Sequence, residues 1–518
     1  MNRCLETPEI LQLICEQLPI EGTSDRQRLL AVALSCRAWR EPALERLWFR
    51  IQSFRPLIAT LPSDLWTVEK KVGPNAIKFV VLGLRRAITS ADLVRYKSYY
   101  ARRIREVDIS VLDRTFSPEA WQGLHLATNW EHGALSPFAH KIAWSMAAAT
   151  QTVLSKEALN QAFPFFSLFL GPKATCLHFT LGSDVPIQLK VTGPSTTIFV
   201  GNYLKSFTWE NLEVLRVANL SAEAISHISA LPRLATLDVW NLKGLSRLPT
   251  RQAHLAAMSA TAFPSLGTLK IVADVQVVEA FVQKIPPTNQ LHTLKCILES
   301  DPSDMDVNGL KKLLRTVRIH CHVGHLRKLV VKVGPSALPT EEYETIAHDE
   351  GIDLHPILGF TKLETLTINL PETTVNLTDA DVRTISKAFP QIRKLKIDTD
   401  IHDSRIPLIT HHHLLNLIYD CGHLKKLGLR FNATQITGEE EAPGLFDKPT
   451  ILEKLWVGDS PAYSPENIAS FFKTHCPNLP SQNILLADLH EKYPESTAIM
   501  MYQRRWNNAK AILRLRSG

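Results

Sequence analysis

The sequence predicts an α/β chain: a small all-helical module at the N-terminus, then an irregular solenoid of strand-plus-helix units, with parallel strands concave and helices convex. Three observations carry this. The spacing Leu-x-x-Leu-x-Leu, clearest in Leu363-Glu-Thr-Leu366-Thr-Ile368, also starts at Leu212, Leu234, Leu266, Leu291, Leu326, Ile392, Leu424 and Leu452. Several starts follow the same punctuation, as in Leu231-Pro232-Arg233-Leu234, Phe263-Pro264-Ser265-Leu266 and Phe389-Pro390-Gln391-Ile392, where proline stops a helix and a strand begins two residues later. The first 50 residues, by contrast, carry three successive stretches of helical apolar spacing.

Within each unit the second and third apolar positions alternate as in a short half-buried strand, and the first marks the turn into it. One copy cannot bury its apolar face alone, so copies must stack. Successive starts lie 22 to 37 residues apart. A helix is expected between them where caps and spacing agree, as in Thr378-Asp-Ala-Asp-Val382 through Phe389. A degenerate tenth copy follows Cys476-Pro477-Asn478-Leu479. The motif resembles the leucine-rich repeat, whose consensus asparagine is matched by Asn219 and Asn241. Residues facing outward from the strands are the candidate target contacts: Glu213, Arg216, Asp238, Lys270, Lys295, Thr367, Lys396 and Trp456.

The N-terminal module reads as follows. Thr7-Pro8-Glu9 is a cap, a first-turn proline and a first-turn acid, followed by Ile10, Leu11, Ile14 and Leu18 on one stripe. Ser24-Asp-Arg-Gln27 has capping-box spacing ahead of Leu29, Leu30, Ala33 and Leu34. Ser35-Cys36-Arg37-Ala38-Trp39 leads into a third helix with Leu44, Leu47 and Trp48. Together these residues resemble an F-box, the helical unit that docks on the adaptor Skp1. The chain departs from that family where Glu6-Thr7 replaces the usual Leu-Pro. The resemblance implies adaptor contacts at Pro8, Ile10, Leu11, Ile14, Leu30, Leu34, Cys36, Trp39, Leu44, Leu47 and Trp48. With the repeats, it implies a non-catalytic substrate receptor of a Skp1-cullin-F-box ubiquitin ligase, bound to a cullin through the adaptor and to a target protein through the repeats. The competing reading is a repeat scaffold or nucleic-acid-associated protein whose N-terminal helices merely cap the solenoid.

The expected organisation is thus 1–50 F-box-like, 51–103 a helical linker and cap, 104–500 the repeats, and 501–518 a basic cap or tail. Lys70 to Pro74 reads as a loop, and the interval from Ser110 to Pro164 as mainly helical, with Trp121, Trp130 and Trp144 as core. Apolar residues at 45% and charged residues at 21% fit an ordinary folded protein. No apolar run is long enough to span a membrane, and the N-terminus has no signal-peptide pattern. The eight cysteines stand singly, which suits the reduced cytosol or nucleus.

Of the net charge of +7, residues 1 to 110 carry +6, from 18 basic and 12 acidic side chains. No phosphate loop, His-Glu-x-x-His or Gly-x-Ser-x-Gly is present, so neither catalysis nor a cofactor is expected. His320-Cys321-His322-x-x-His325 is the best metal-like cluster but lacks a second ligand pair, so no metal is assigned. His411-His412-His413 reads as a solvated helix start. Nucleic acid is not expected as a partner, because the basic residues are not interleaved with a recognisable aromatic platform.

Overall fold

The computed structural model describes residues 7–72, 78–109, 114–145, 163–180, 201, 204–205, 207–218, 220–240, 261–299, 307–334, 353–370, 377–397, 406–442, 450–487 and 497–515. It is a mixed α/β structure whose strands run in long parallel ladders, and it divides into two units, Met1–Asp238 and Val239–Gly518.

The first unit begins with three helices: α1 (Pro8–Gln17), α2 (Thr23–Ser35) and α3 (Arg37–Trp48). Pro8 opens α1 as expected, but the start of α2 is set by Asp25, whose carboxylate accepts from the Gly22 N–H at 3.1 Å. The helices bury Leu11, Leu29 and a cluster of Cys15, Ala33 and Ala43, against which Val32, Trp39 and Leu44 pack. Arg103, only 2% exposed, fastens α3 to the strands that follow, reaching Glu41 and Glu45 at 2.7 Å each and the Tyr99 carbonyl at 2.8 Å.

The parallel strands of this unit are β1 (Arg50–Ile51), β4 (Glu106–Ile109), β6 (Lys141–Ser145), β7 (Cys176–Thr180) and β8 (Val214–Ala218), adjacent in that order. Their register aligns Ile51, Val107, Ile142, Leu177 and Leu215, all buried. Beside them stands a second, three-stranded sheet of β2 (Trp66–Val72), β3 (Lys78–Leu84) and β5 (Arg114–Phe116). The core is aromatic: Trp121, on helix Pro118–Ala127, meets Phe54 at 5.0 Å, Phe116 at 4.9 Å and Phe165 at 5.7 Å between ring centroids.

Residues 51–103 are not simply a helical linker, because β2 and β3 pair antiparallel within them. Trp66-Thr-Val and Phe79-Val-Val-Leu are rich in the β-branched and aromatic side chains that pack on a pleated surface. Lys70 to Val72 therefore belong to a strand, while Gly73 and Pro74 lie outside the described residues. The ladder begins at Arg50 rather than at 104, and the 110–164 interval contributes a rung, β6. Trp121 and Trp144 are core, but Trp130 is 56% exposed and sits at φ 58° beside Asn129 at 53°, a left-handed corner that turns its ring outward.

In the second unit β10 (Thr268–Ala273), β11 (Thr293–Leu298), β12 (Lys328–Val333), β13 (Thr365–Asn369), β14 (Lys394–Ile397), β15 (Lys426–Leu429), β16 (Lys454–Gly458) and β17 (Ile484–Leu486) pair parallel in sequence order. The remaining strand, β9 (Thr236–Trp240), lies at the division of the chain. All nine repeat starts precede a strand by two residues. The middle apolar positions Leu269, Leu294, Leu329, Leu366, Leu395, Leu427 and Leu455 share one buried register line.

Between strands run helices such as Val275–Val282, Val307–His320, Asp379–Ala388, His411–Asp420 and Pro465–His475. Asp379–Ala388 starts where expected: the Thr378 hydroxyl accepts from the Asp381 N–H at 3.3 Å, and Asp381 accepts from the Thr378 N–H at 2.8 Å. The tenth copy is displaced, since a short turn at Ser481–Asn483 delays β17 until Ile484. The basic segment expected as a C-terminal cap or tail belongs to a longer helix, Thr497–Leu515, anchored by buried Trp506, whose indole N–H donates to the Ser460 carbonyl at 2.9 Å. Asn219 and Asn241 lie outside the described residues.

Candidate functional site

Two surfaces stand out, one in each unit. On the N-terminal helices, Leu30 and Leu34 lie four residues apart on one stripe of α2, and they are 46% and 78% exposed. Leu13 and Ile14 are exposed on α1, as are Pro8 and Cys36. Ile10, Trp39, Leu44 and Leu47 are half-buried. Two residues expected as adaptor contacts have other roles. Leu11 is core, because the stripe of α1 that faces α3 must be filled. Half-buried Trp48 lies against Tyr100 at 4.4 Å between ring centroids, within its own unit.

The second surface is the outward face of the second unit's ladder. Register places Lys270, Lys295, Val330, Thr367, Lys396, Gly428 and Trp456 in one row, so five of the expected target contacts are brought together. Thr367 is more buried than expected, and its hydroxyl has no hydrogen-bond partner among the described residues.

Two residues earlier runs a row that sequence reasoning missed: Lys328, Thr365, Lys394, Lys426 and Lys454. The signal was the repeated dipeptide Lys-Leu at 328, 394, 426 and 454, visible once the copies are aligned by their middle leucine. The ammonium groups of Lys394, Lys396 and Lys454 stand 5.3, 5.2 and 4.9 Å from the Trp456 ring centroid. Gly428 makes this possible: a Cβ there would come 2.6 Å from the Cγ of Lys396, so any side chain would part the lysine from the indole. Burial, and then Lys396, Lys328, Lys426 and Lys454, hold the Lys394 ammonium below the usual lysine range. One residue before the row, ion pairs join Arg327 and Arg393 to Glu364 at 3.7 and 3.9 Å and Lys425 to Glu453 at 2.6 Å.

The first unit's ladder presents Glu213 and Arg216, both exposed, and Asp238 stands half-buried in β9. These do not join the lysine rows. Arg216 is in register with His178, which is half-buried with its Nε2 3.6 Å from the Cys176 Sγ. Burial first, then Arg216 and Lys141, push His178 down from 6.5 to about 4. In the intervening pH range the unfolded chain takes up a proton at this ring and the folded chain does not. Stability therefore falls as pH drops through that window. His178→Gln is expected to reduce the loss of Tm between pH 7 and pH 4.5, by the equivalent of about 1 kcal/mol at a half-buried, solvent-screened site. Thermal melts of the two proteins across that range check it, and parallel curves would remove His178 as the cause.

Neither histidine cluster converges on one point. His320 Nδ1 lies 3.0 Å from the Ile285 carbonyl, and burial pushes the adjacent Cys321 thiol up to about 12. His411 is buried rather than solvated, with Nε2 3.4 Å from Glu440 Oε1, while His413 Nδ1 accepts the Thr410 N–H at 3.0 Å. Among the described residues no three His, Cys, Asp or Glu side chains could share a metal ion, and no helix is long and apolar enough to cross a membrane.

No family model matches the sequence, and neither does any curated protein.

Proposed function

We propose that this chain is the substrate-recognition subunit of a Skp1-cullin-F-box type ubiquitin ligase. Its N-terminal helices would hold a Skp1-like adaptor, and its ladder would hold the target protein. The observation that carries the reading is the Leu30 and Leu34 stripe, left open on a three-helix module that already buries Leu11 and Leu29. Burying one such leucine in a partner is worth about 1.5–3 kcal/mol, so leaving two in water on so small a module favours association. Catalysis in this reading belongs to a recruited conjugating enzyme, and the chain contributes proximity between that enzyme and the target's lysines. The compartment follows from the same reading as cytoplasm, nucleus or both.

The test is co-purification with Skp1, comparing the intact chain, a chain lacking residues 1–50, and Leu34→Asp. Leu34 is exposed enough for the aspartate to leave the fold intact, whereas Trp39 packs on the module's core and would confound the result. The intact chain is expected to be retained, the deletion to be lost, and Leu34→Asp to weaken capture about 30-fold, as for a central interface residue. Retention of all three, or of none while circular dichroism shows each folded, overturns the assignment.

A further inference from the structure

We infer that the lysine row of the second unit is a binding site for an acidic, extended segment of a protein partner, lying across strands β12 to β16. The inference deepens the target-binding half of the proposed function and rests on that reading for its biological role only. The site itself stands on the ladder.

The charge is arranged, not scattered. Lys328, Lys394, Lys426 and Lys454 occupy the same register position on four strands, and Lys396 reinforces them one pleat further on. Strands in a ladder are about 4.8 Å apart, so the row from β12 to β16 spans about 19 Å. An extended peptide rises about 3.3 Å per residue, so some six residues would lie along it. A lone phosphate would meet only one or two of these ammonium groups.

The residue types choose between polyanions. Single-stranded nucleic acid is held by aromatic faces on which bases stack. Here the aromatic ring of the row, Trp456, is approached by three ammonium groups and offers cations where a base would need an open ring. The row holds lysine and no arginine, so it lacks the planar fork that binds phosphate in bidentate fashion. Ammonium groups on flexible stems, steadied against an indole, suit carboxylates presented at intervals along a peptide. Acidic charge also complements the lysines without requiring one fixed side-chain geometry.

The experiment uses the full chain without adaptor, so loss of peptide binding and loss of Skp1 binding are separate results. A fluorescein-labelled peptide with six consecutive glutamates is titrated by anisotropy at low and at 0.3 M salt, beside an unstructured hexauridylate RNA. The peptide is expected to bind, to weaken with salt, and to bind more tightly than the RNA. The triple variant Lys394→Gln, Lys426→Gln, Lys454→Gln is expected to weaken the peptide about tenfold, from the loss of three solvent-screened charge pairs, one exposed and two half-buried. The same three positions changed to arginine are expected to retain binding. A control triple at Lys97, Lys205 and Lys387, also changed to glutamine, is expected to leave it within twofold. Equal weakening by the control triple, absence of peptide binding by the folded chain, or tighter binding of the RNA through the same lysines would each overturn the proposal.

Discussion

Trp121→Ala is expected to cost about 3–5 kcal/mol and to lower Tm by about 10 °C. Trp121 is 1% exposed and has ring neighbours on several sides: Phe54, Phe116 and Phe169 meet it near edge-on, and Phe165 stacks on it at an interplanar angle of 9°. Truncation would leave a cavity that rings held by different elements cannot all move to fill. Trp121→Phe should be far milder, at about 1 kcal/mol. The indole N–H is buried with no hydrogen-bond partner among the described residues, so its removal relieves a desolvation cost that offsets part of the lost contact. Urea denaturation of the three proteins decides the matter, and an alanine variant no worse than phenylalanine would mean that the aromatic cluster is not a packed core.

Gly133→Ala is the second large effect, expected at about 3 kcal/mol or more. Gly133 sits at φ +70°, where an L side chain costs about 1 kcal/mol by itself. The larger cost comes from space, because a Cβ would stand 2.5 Å from the Cα and 2.8 Å from the N of Gly171. Those atoms are backbone, in a segment held by the bonds from Gly133 N–H to the Ser167 carbonyl and from Leu135 N–H to the Leu168 carbonyl, both 2.8 Å. Gly133→Asn separates the two causes. Asparagine tolerates the left-handed region well, so if the close approach dominates, this variant should be destabilised nearly as much as the alanine one in the same urea series. Recovery with asparagine would show that dihedral strain alone matters.

The ladder was legible because its rule is short-ranged. A leucine or isoleucine at the first position and an alternating pair after it set a strand, and each of the nine starts from Leu212 to Leu452 lies two residues before one, the degenerate tenth excepted. Strand β6 obeys the same rule from Ala139, where a methyl group replaces the leucine and the pattern drops out of sight, whereas the alternation of Leu177 and Phe179 marks β7 despite Ala174. The hairpin of β2 and β3 was hidden for another reason. The end of β2 carries Lys70 and Lys71, which read as loop, and only pairing with a neighbour reveals them as pleated.

Of the candidate sites, the outward positions were readable but their grouping was not. Lys270, Lys396 and Trp456 are separated by scores of residues, and register alone brings them into one row. Leu11 and Leu34 show a similar limit on the N-terminal helices. Both are leucines at helical spacing, and what separates core from surface is which side of each helix finds a neighbour.

The uneven spacing of the repeats has a thermodynamic meaning. The starts fall 22 to 37 residues apart, yet the strands of the second unit meet in register. Closing a flexible return path costs only about 0.6 kcal/mol more for each doubling of its length, so insertions there are nearly free. A shift of one residue within a strand is another matter, since it would turn every leucine outward and every lysine of the row into the core. Lengthening is therefore tolerated on one side of each unit and slippage forbidden on the other. The face bearing Lys394, Lys426, Lys454 and Trp456 can persist unchanged while the segments behind it are free to vary.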